Sequence, residues 1–371
     1  MYDGADMWRI VVFVLVICVG IGAYNFYQER LRSVVRPDVE GIFVEINTPT
    51  NNPLNIPSLN LGQIFSSDHS WVKTMPSERV VTIIATGDVI PARSVNQGMV
   101  RRNNFLWPFE KTAEALRSGD FTVINLETSL ITGCVATIDG MSFCGDPKAV
   151  EGIKFAGVDI ATLGNNHIGN YGETGVKETE KILHDAGIET VGTNILYKDA
   201  KGIRFAFLAY NDIGSPEAGV PWAEDAKIIT DIKEAKHNAD IVIVSYHWGV
   251  EYNDMPSQRQ VDLAHITIDA GADVILGNHP HWIQPVELYK DKFIVYAHGN
   301  FIFDQEWSVE TKLGVVGKYT FYDKKLVDVE FVPIRIVDYG QPYLLSGEDA
   351  KNMLGRMKDL SLQLIQNTDG Q

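Results

Sequence analysis

The chain has 371 residues, of which 45% are hydrophobic and 22% are charged. This balance is typical of a globular protein with a sizeable core and argues against disorder over most of the chain. The formal net charge of −16 argues against nucleic acid or an anionic membrane surface as a broad partner. An anionic substrate would therefore need a local source of positive charge, such as a bound metal ion.

An uncharged apolar segment, IVVFVLVICVGIGAYNFY, covers residues 10–27 after a short tail over 1–9. As a helix it would rise about 27 Å, close to the thickness of the hydrocarbon layer of a membrane. A cleaved signal peptide is the alternative, but the tail carries two aspartates and one arginine, which suits such a peptide poorly. We therefore expect a transmembrane helix that acts as a single-pass anchor.

Two signals disagree about the side of the membrane on which the rest of the chain lies. Three arginines within 30–36 follow the apolar segment and would keep the domain in the cytoplasm by the positive-inside rule. Cys134 and Cys144 bracket a short loop that a disulfide would close, as in an oxidising compartment; two unrelated buried thiols are the alternative. Because the charge bias rests on a few residues, we expect an extracytoplasmic domain anchored in the cell membrane.

A linker is predicted over 28–77, which lacks periodicity and is rich in Pro, Asn and Ser. The folded domain is expected over 78–340. Short apolar strands alternate there with helix-like stretches, which is typical of a mostly parallel sheet with helices on its faces. The predicted strands are 80–86, 121–127, 158–164, 203–210, 239–249 and 272–277.

The last third of the chain has strands with few helices between them. They include FIVYAHGNFIF, GVVGKYTFY and KLVDVEFVPIRIV. This pattern predicts a second, mainly antiparallel sheet, and a C-terminal helix is expected over 341–371. The fold class is therefore α/β with two sheets.

Polar side chains follow five of the six predicted strands at the points where those strands end. They are Asp88, Asn125, Glu127, Asn165, Asn166, His167, His247, Glu251, His279 and His281. Because the carboxyl ends of strands line the ligand crevice of an open α/β sheet, we expect these groups to converge. Carboxylates, an amide oxygen and imidazoles are ligands for divalent ions such as Mn²⁺, Zn²⁺ or Fe²⁺. The sequence predicts a site for one or two such ions.

Each of these residues has a plainer explanation when it is taken alone. Asp88 could cap a helix, and Glu127 could be a solvated strand end. Asn165 and Asn166 could form a turn, and His247 could be a hydrogen-bonded core imidazole. Their joint placement favours the metal site. Within it, the proline between His279 and His281 stiffens the turn so that the two rings point to different ions.

Six ordered sequence blocks resemble a known family. They are TGDVIPAR, NLETSL, LGNNHIGNYG, HWGVEY, GADVILGNHPHWIQPVE and YAHGNFIFD, and they run from about residue 80 to 305. The chain resembles the CapA family of bacterial capsule-synthesis (poly-γ-glutamate) proteins, which is similar to calcineurin-like metallophosphoesterases. The resemblance implies an αββα sandwich of the metallophosphoesterase type, tethered to the membrane with its domain outside.

The resemblance also implies roles for individual residues. The implied metal ligands are Asp88, Glu127, Asn166, His247, His279 and His281. His167 would be the general acid that protonates the leaving group, with Arg93 as a second catalytic residue. The groups expected to contact the substrate or the metal ligands are Asn125, Asn165, Glu251 and Asn300.

Two positions depart from the expected patterns. Phosphoesterases usually begin with Asp-x-His, whereas this chain has Asp88-Val89-Ile90, and Asn170 stands where the CapA family often has an aspartate. Both departures leave open whether one ion or two are bound.

Two functions remain. The first is a membrane-anchored, extracytoplasmic, metal-dependent hydrolase that acts on a phosphoester or amide in capsule or poly-γ-glutamate synthesis. The alternative is a non-catalytic subunit that binds the polymer or helps to assemble a synthesis and export complex. The expected partners are an anionic polymer or phosphoester substrate, the membrane and capsule or poly-γ-glutamate synthase subunits, with no nucleic acid. Trp248, Trp282 and Trp307 are expected to be exposed near the site, where they could pack against a substrate, although packing in the core or at the rim is the default for such residues.

Overall fold

Two β-sheets lie face to face in this computed structural model, which describes residue 56 and residues 58–369. The predicted tail, the membrane anchor over 10–27 and most of the linker lie outside the described residues. Within the described part of the chain, no helix is both long and apolar enough to cross a membrane.

The strands of the described residues are numbered in chain order. They are β1 (Val80–Val89), β2 (Phe121–Leu126), β3 (Ser129–Leu130), β4 (Cys144–Gly145), β5 (Ile160–Thr162), β6 (Glu189–Val191), β7 (Leu196–Ala200), β8 (Ile203–Asn211), β9 (Ile241–His247), β10 (Val274–Asn278), β11 (Val286–Tyr289), β12 (Lys292–Val295), β13 (Asn300–Ile302), β14 (Leu313–Tyr322), β15 (Lys325–Val337) and β16 (Gln341–Leu344).

The helices are numbered in the same way. They are α1 (Leu61–Ile64), α2 (Arg93–Arg102), α3 (Ala113–Leu116), α4 (Ala149–Phe155), α5 (Gly172–Asp185), α6 (Asp225–Asn238), α7 (Gln258–Ala270) and α8 (Gly347–Asp369). Short 3₁₀ helices lie at Ser70–Thr74, Ser77–Arg79, Trp107–Phe109, Ile168–Tyr171 and Glu310–Lys312.

The first sheet has the strand order β16-β15-β14-β1-β2-β5-β6, with β13 paired to the end of β1. Its β1, β2, β5 and β6 are parallel, whereas β14, β15 and β16 are antiparallel. The second sheet has the order β11-β12-β10-β9-β8-β7 and is parallel from β8 to β12. A small third sheet joins β3 and β4.

Three apolar layers follow from the alternation of side chains along each strand. Val81 and Ile83 of β1 point into the layer between the sheets, where they share a cluster with Phe205 and Phe207 of β8. Ile84 of β1 points outward and packs in the layer under α2, α4 and α5. A third cluster lies between the outer face of the second sheet and α6 and α7. The sheets are thus sandwiched between helices, and the expected αββα layering is present in the described chain.

The last third of the chain does not form a separate antiparallel sheet, so that prediction is wrong. Strands β14 to β16 instead extend the first sheet beside β1, and β11 and β12 extend the second. The stretch FIVYAHGNFIF also divides into β12 and β13, which join different sheets. The alternation pattern identifies strands, but it does not specify which neighbour each strand pairs with.

Both ends of the predicted domain differ from the sequence analysis. Residues 58–77 were expected in the linker, yet Ile64 and Met75 are buried against the domain. The ring of His69 pairs with Asp328 of β15 at 2.9 Å. The folded domain therefore begins upstream of residue 78. At the other end Gln341–Leu344 is a strand, and the C-terminal helix begins only at Gly347.

A disulfide joins Cys134 and Cys144, with their Cα atoms 5.8 Å apart, as the sequence predicted. It closes the loop between β3 and β4, and those two strands pair at its base.

Two glycines allow the chain segment 296–300 to cross from one sheet to the other. A Cβ atom on Gly87 of β1 would lie 1.9 Å from the carbonyl oxygen of Gly299. A Cβ atom on Gly277 of β10 would lie 1.9 Å from the carbonyl oxygen of Tyr296. Backbone atoms cannot give way as a flexible side chain does, so both positions require glycine.

We predict that Gly277→Ala lowers the free energy of unfolding by about 2 kcal/mol or more, because the new methyl group meets a backbone carbonyl. The matched control is Gly355→Ala in the exposed face of α8, where a Cβ atom would meet nothing within 4 Å. The free energy of unfolding of that variant should rise by about 0.5–1 kcal/mol, because alanine has a higher helix propensity than glycine. Urea unfolding of both variants measures the difference, and a Gly277→Ala protein as stable as wild type would contradict the packing argument.

Candidate metal centre

The carboxyl ends of five strands converge where the two sheets meet. Strands β1, β2 and β5 contribute from the first sheet, and β9 and β10 from the second. The buried polar side chains at or near these ends are Asp88, Asn125, Glu127, Asn165, His167, His247, His279, His281 and Asn300. Asn166, Glu251 and Arg93 are half-buried. The structure thus brings the predicted site residues to one region although they are scattered over more than half of the chain.

Glu127 lies at the centre of this region. Its side chain is fully buried, and neither of its carboxylate oxygens has a hydrogen-bond partner. His247 Nε2 lies 3.3 Å from Glu127 Oε1. Burial, together with the charge of Asp88, raises the pKa of Glu127 well above its ordinary value. A buried carboxylate without donors is costly unless a cation compensates it, so this residue fits a metal ligand.

Three overlapping groups of side chains could each hold an ion. They are Glu127 with His247 and His279, Asp88 with Glu127 and His281, and Glu251 with His279 and His281. Within each group the ligand atoms lie within 4.8 Å of one another. Glu127 belongs to two of the groups, as a carboxylate shared between two ions would. The Asn166 side-chain oxygen is buried without a partner as well.

The imidazoles of His247 and His279 face each other, with His279 Nδ1 3.1 Å from His247 Nε2. Burial lowers the pKa of His247 to about 3 and that of His279 well below its ordinary value. Both rings are therefore neutral at physiological pH, which is the form that binds a metal.

His281 has a different environment from that of its neighbour. Its Nδ1 atom lies 3.0 Å from Asp88 Oδ2 and 2.9 Å from Asn300 Oδ1. Burial disfavours the charged ring, but the hydrogen bond to Asp88 and the negative charge of Glu127 outweigh it and raise the pKa of His281 to about 9. The same contact helps to lower the pKa of Asp88 against the effect of burial.

The turn that carries the two histidines has an unusual backbone. His279 has φ 96° and His281 has φ 57°, with Pro280 between them. Positive φ values are rare for residues other than glycine and are found preferentially at functional sites. In this turn His279 faces Glu127 and His247, whereas His281 faces Asp88.

Three asparagines connect the candidate ligands. Asn125 donates to Asp88 Oδ1 at 2.8 Å, and Asn165 donates to Asn125 Oδ1 at 3.1 Å. Asn300 accepts from His281 and donates to the carbonyl oxygen of Thr311 at 2.8 Å. Their positions fit side chains that orient the ligands.

His167 lies beside this network. Its Nε2 atom is 3.9 Å from Glu127 Oε1, and its Nδ1 atom is 2.9 Å from Asn170 Oδ1. Burial lowers the pKa of His167 to about 4, although the hydrogen bond with Asn170 acts in the opposite direction. The ring is therefore neutral at rest, with its Nδ1 proton directed at the amide oxygen.

Arg93, at the first position of α2, forms an ion pair with Asp304. Its guanidinium also lies 5.0 Å from the ring centre of Phe143 and 4.8 Å from that of Phe303. Its charge is thus already partly compensated within the protein. The sequence analysis did not assign Asp304, although it is the last residue of the YAHGNFIFD block.

Ile90, the third residue of the Asp88-Val89-Ile90 stretch, lies in an apolar environment. Ile90 is buried and clusters with Ala92, Phe143 and Phe303. Glu251 has a carboxylate oxygen within 4.8 Å of nitrogen atoms of His279 and His281.

The aromatic residues differ from their prediction. Trp248 is fully buried, stacked on Tyr246 with ring centres 4.5 Å apart, so its predicted exposure is wrong. It follows β9 in the layer that the outer helices cover, and its Nε1 donates to the carbonyl oxygen of Tyr296. Trp282 is half-buried. Trp307 is 59% exposed and packs edge-on against Tyr252.

Comparison with known proteins gives a consistent set of relatives. A family model described as "Bacterial capsule synthesis protein PGA_cap" matches residues 82–305. The capsule biosynthesis protein CapA of Bacillus anthracis is 31% identical over 315 residues, covering 78% of this chain and 76% of that protein. The PGA biosynthesis protein CapA of Bacillus subtilis is 36% identical over 177 residues, covering 43% and 47% of the two chains.

Among solved structures, a phosphatase from Mycoplasma pneumoniae aligns with a TM-score of 0.46 and 12% identity, covering 69% of this chain and 94% of that one. The family match includes the whole candidate metal centre, from Asp88 to Asn300.

We predict that the purified chain retains one or two equivalents of Mn, Zn or Fe by elemental analysis, and that Asp88→Ala combined with His279→Ala removes them. Both changes delete ligand atoms from the groups around Glu127. Re-adding metal at 100 times its dissociation constant should stabilise the wild-type fold by about 2.7 kcal/mol and leave the variant unchanged.

His237→Ala is the matched control for metal content, because His237 is exposed on α6. Equal metal content in the wild-type and double-variant proteins would show that these side chains do not hold an ion.

Proposed function

Because the chain belongs to the bacterial capsule synthesis protein (PGA_cap) family, we propose that it is a metal-dependent hydrolase acting in the synthesis of an anionic envelope polymer. The observation that carries the proposal is Glu127, a fully buried carboxylate without donors that faces His247 and His279. Such a carboxylate is expected where a cation is bound. The layered fold, with its polar residues at strand ends, supports a site of the metallophosphoesterase type.

The residues that would hold the metal are those with unpaired or convergent donor atoms. They are Asp88, Glu127, Asn166, His247 and His279, together with His281 once the ion displaces the proton of its ring, and Glu251 lies close to His279 and His281. A divalent ion bound there supplies a Lewis acid that polarises a phosphoryl or carbonyl oxygen and lowers the pKa of water. Asn125 and Asn300 keep the Asp88 and His281 side chains in place through hydrogen bonds.

His167 is the residue that moves protons in this proposal. Since its Nδ1 proton is held by Asn170, the free Nε2 atom faces Glu127 and the candidate ligands. A ring that is neutral at rest accepts a proton at Nε2 from the attacking water as the water oxygen bonds to phosphorus or to the carbonyl carbon. It then gives that proton to the leaving-group oxygen or nitrogen as the scissile bond breaks. His167 thus serves as base and acid in turn, which refines the expected role of general acid alone.

We also propose that the domain lies outside the cytoplasm on a single-pass anchor. The uncharged segment over 10–27 and the Cys134–Cys144 disulfide support this arrangement. The proposed substrate is a phosphoester or a γ-glutamyl amide of the polymer, and subunits of a capsule or poly-γ-glutamate synthase are the proposed partners. The acidic character of the chain favours release of an anionic product.

A second candidate is a subunit that binds the polymer without cleaving it. Two observations favour it: Ile90 replaces a potential ligand with an apolar side chain, and the charge of Arg93 is already paired with Asp304. In that case the metal would hold carboxylates of the polymer. The two candidates differ in whether the function requires the His167 side chain.

We predict that the metal-loaded chain hydrolyses bis(p-nitrophenyl) phosphate or poly-γ-glutamate, and that His167→Gln lowers kcat about 100-fold or more, as loss of proton transfer does. His184→Gln, on the exposed face of α5, is the matched control and should retain full activity. The release of p-nitrophenol and the appearance of new polymer ends are the readouts.

The polymer-binding candidate predicts a different pattern. Poly-γ-glutamate would then bind only to the metal-loaded chain, no product would form, and His167→Gln would bind as well as wild type. That outcome would reject the hydrolase.

A further inference from the structure

The loop closed by the Cys134–Cys144 disulfide reaches the candidate site. Its tip is exposed and apolar, with Val135, Ile138 and Met141 exposed by 75%, 63% and 65%. Its last residue before the second cysteine, Phe143, is instead fully buried. One short loop therefore carries both solvent-exposed residues and a residue in contact with the site.

Phe143 contacts His167 directly through its ring and shares a hydrogen-bond acceptor with it. The two rings are stacked, with centres 3.9 Å apart and planes inclined by 20°. The backbone N–H of Phe143 donates to Asn170 Oδ1 at 2.7 Å, and the same oxygen accepts from His167 Nδ1 at 2.9 Å. The Phe143 ring thus covers one face of the His167 imidazole. The backbone N–H of Phe143 also shares with His167 the Asn170 oxygen that orients the imidazole.

Neighbouring groups hold the Phe143 ring on its other sides. Phe303 packs edge-on at 5.7 Å, and the Arg93 guanidinium lies 5.0 Å from the ring centre. Arg93 also donates to the carbonyl oxygen of Gly140 within the same loop at 3.4 Å. An aromatic ring is required in this position, because stacking and cation–π contacts both depend on its flat face.

The disulfide fixes the loop at its base. Cys144, the residue after Phe143, lies in β4 and is bonded to Cys134 at the start of the loop. Without the bond the loop ends would be joined mainly by the two-residue pairing of β3 and β4. Closing a loop covalently removes the conformational entropy that would otherwise compete with the packed position of Phe143.

We propose that Phe143 is a positioning residue for His167 and that the Cys134–Cys144 disulfide holds it in place. That this role affects catalysis rests on the hydrolase proposed above. The effect of Phe143 on the position of the His167 imidazole is independent of that proposal. The orientation of the proton-transferring ring would thereby depend on formation of the disulfide outside the cytoplasm.

The experiment measures carbethoxylation of each histidine by diethyl pyrocarbonate on the full-length chain, with peptide mass spectrometry. In the wild type, the buried His167 should react much more slowly than the exposed His237. Phe143→Leu should raise the rate at His167 by about two- to tenfold, the range expected for loss of an aromatic contact. Phe143→Tyr, which keeps the stacked face, should restore the slow rate.

The disulfide is tested by the double variant Cys134→Ser, Cys144→Ser, which leaves Phe143 in the sequence. It should also raise the rate at His167, and unchanged rates in this variant and in Phe143→Leu would overturn the proposal. His298 is the internal control for folding, because it is fully buried between the Gly277 carbonyl oxygen and the Tyr319 hydroxyl. A variant in which His298 also becomes reactive has unfolded, and the other variant then decides.

Activity separates this proposal from the proposed function. If the wild type hydrolyses bis(p-nitrophenyl) phosphate, Phe143→Leu should lower kcat with little change in KM, since the ring contacts His167 and not the candidate metal ligands. If no hydrolysis occurs but the reactivity of His167 rises as expected, the hydrolase fails and the positioning role stands. If hydrolysis occurs and His167 reactivity is unchanged in both variants, the positioning role fails and the hydrolase stands.

Discussion

The arrangement of the site depends on one buried carboxylate. Glu127 has no donor to either oxygen, while Asp88 nearby is satisfied by His281 and Asn125. Burial raises the pKa of Glu127, because its charged form is costly unless a cation compensates it. The facing imidazoles of His247 and His279 do not supply that positive charge, because burial keeps both of them neutral. The region thus combines a buried carboxyl group without donors and two neutral imidazoles, which is the chemical condition for holding a divalent cation.

The fold meets this condition by bringing the ends of two sheets together. The segment 296–300 passes from β12 of the second sheet to β13 of the first, and it does so against Gly87 and Gly277. At the end of this crossing, Asn300 pairs beside Asp88 and reaches His281. Packing and the arrangement of the candidate site are thus coupled, because a side chain at either glycine would push apart the strand ends that carry the candidate ligands.

Much of the site could be predicted from sequence, because parallel strands of one sheet end at the same edge. That rule groups Asp88 with Glu127 in the first sheet and His247 with the two histidines around Pro280 in the second. The meeting of the two sheets, which brings these groups together, has no such signal in the sequence. Pairing between distant strands has no local signal, so the division of β12 and β13 between the sheets was missed. The burial of Trp248 was missed for a related reason. The sequence around an aromatic residue that follows a strand does not show whether a helix will cover the side chain or solvent will surround it.

Contacts that depend on loop conformation were also beyond sequence reasoning, and they explain the environments of Asn170 and Ile90. Asn170 accepts hydrogen bonds from His167 and Phe143 through its amide oxygen. Ile90 belongs to the apolar cluster that contains Phe143 and Phe303. Both residues therefore support Phe143, Asn170 through the backbone N–H and Ile90 through the apolar packing of the ring. Because the Phe143 ring stacks on the His167 imidazole, the two positions act together on the surroundings of His167.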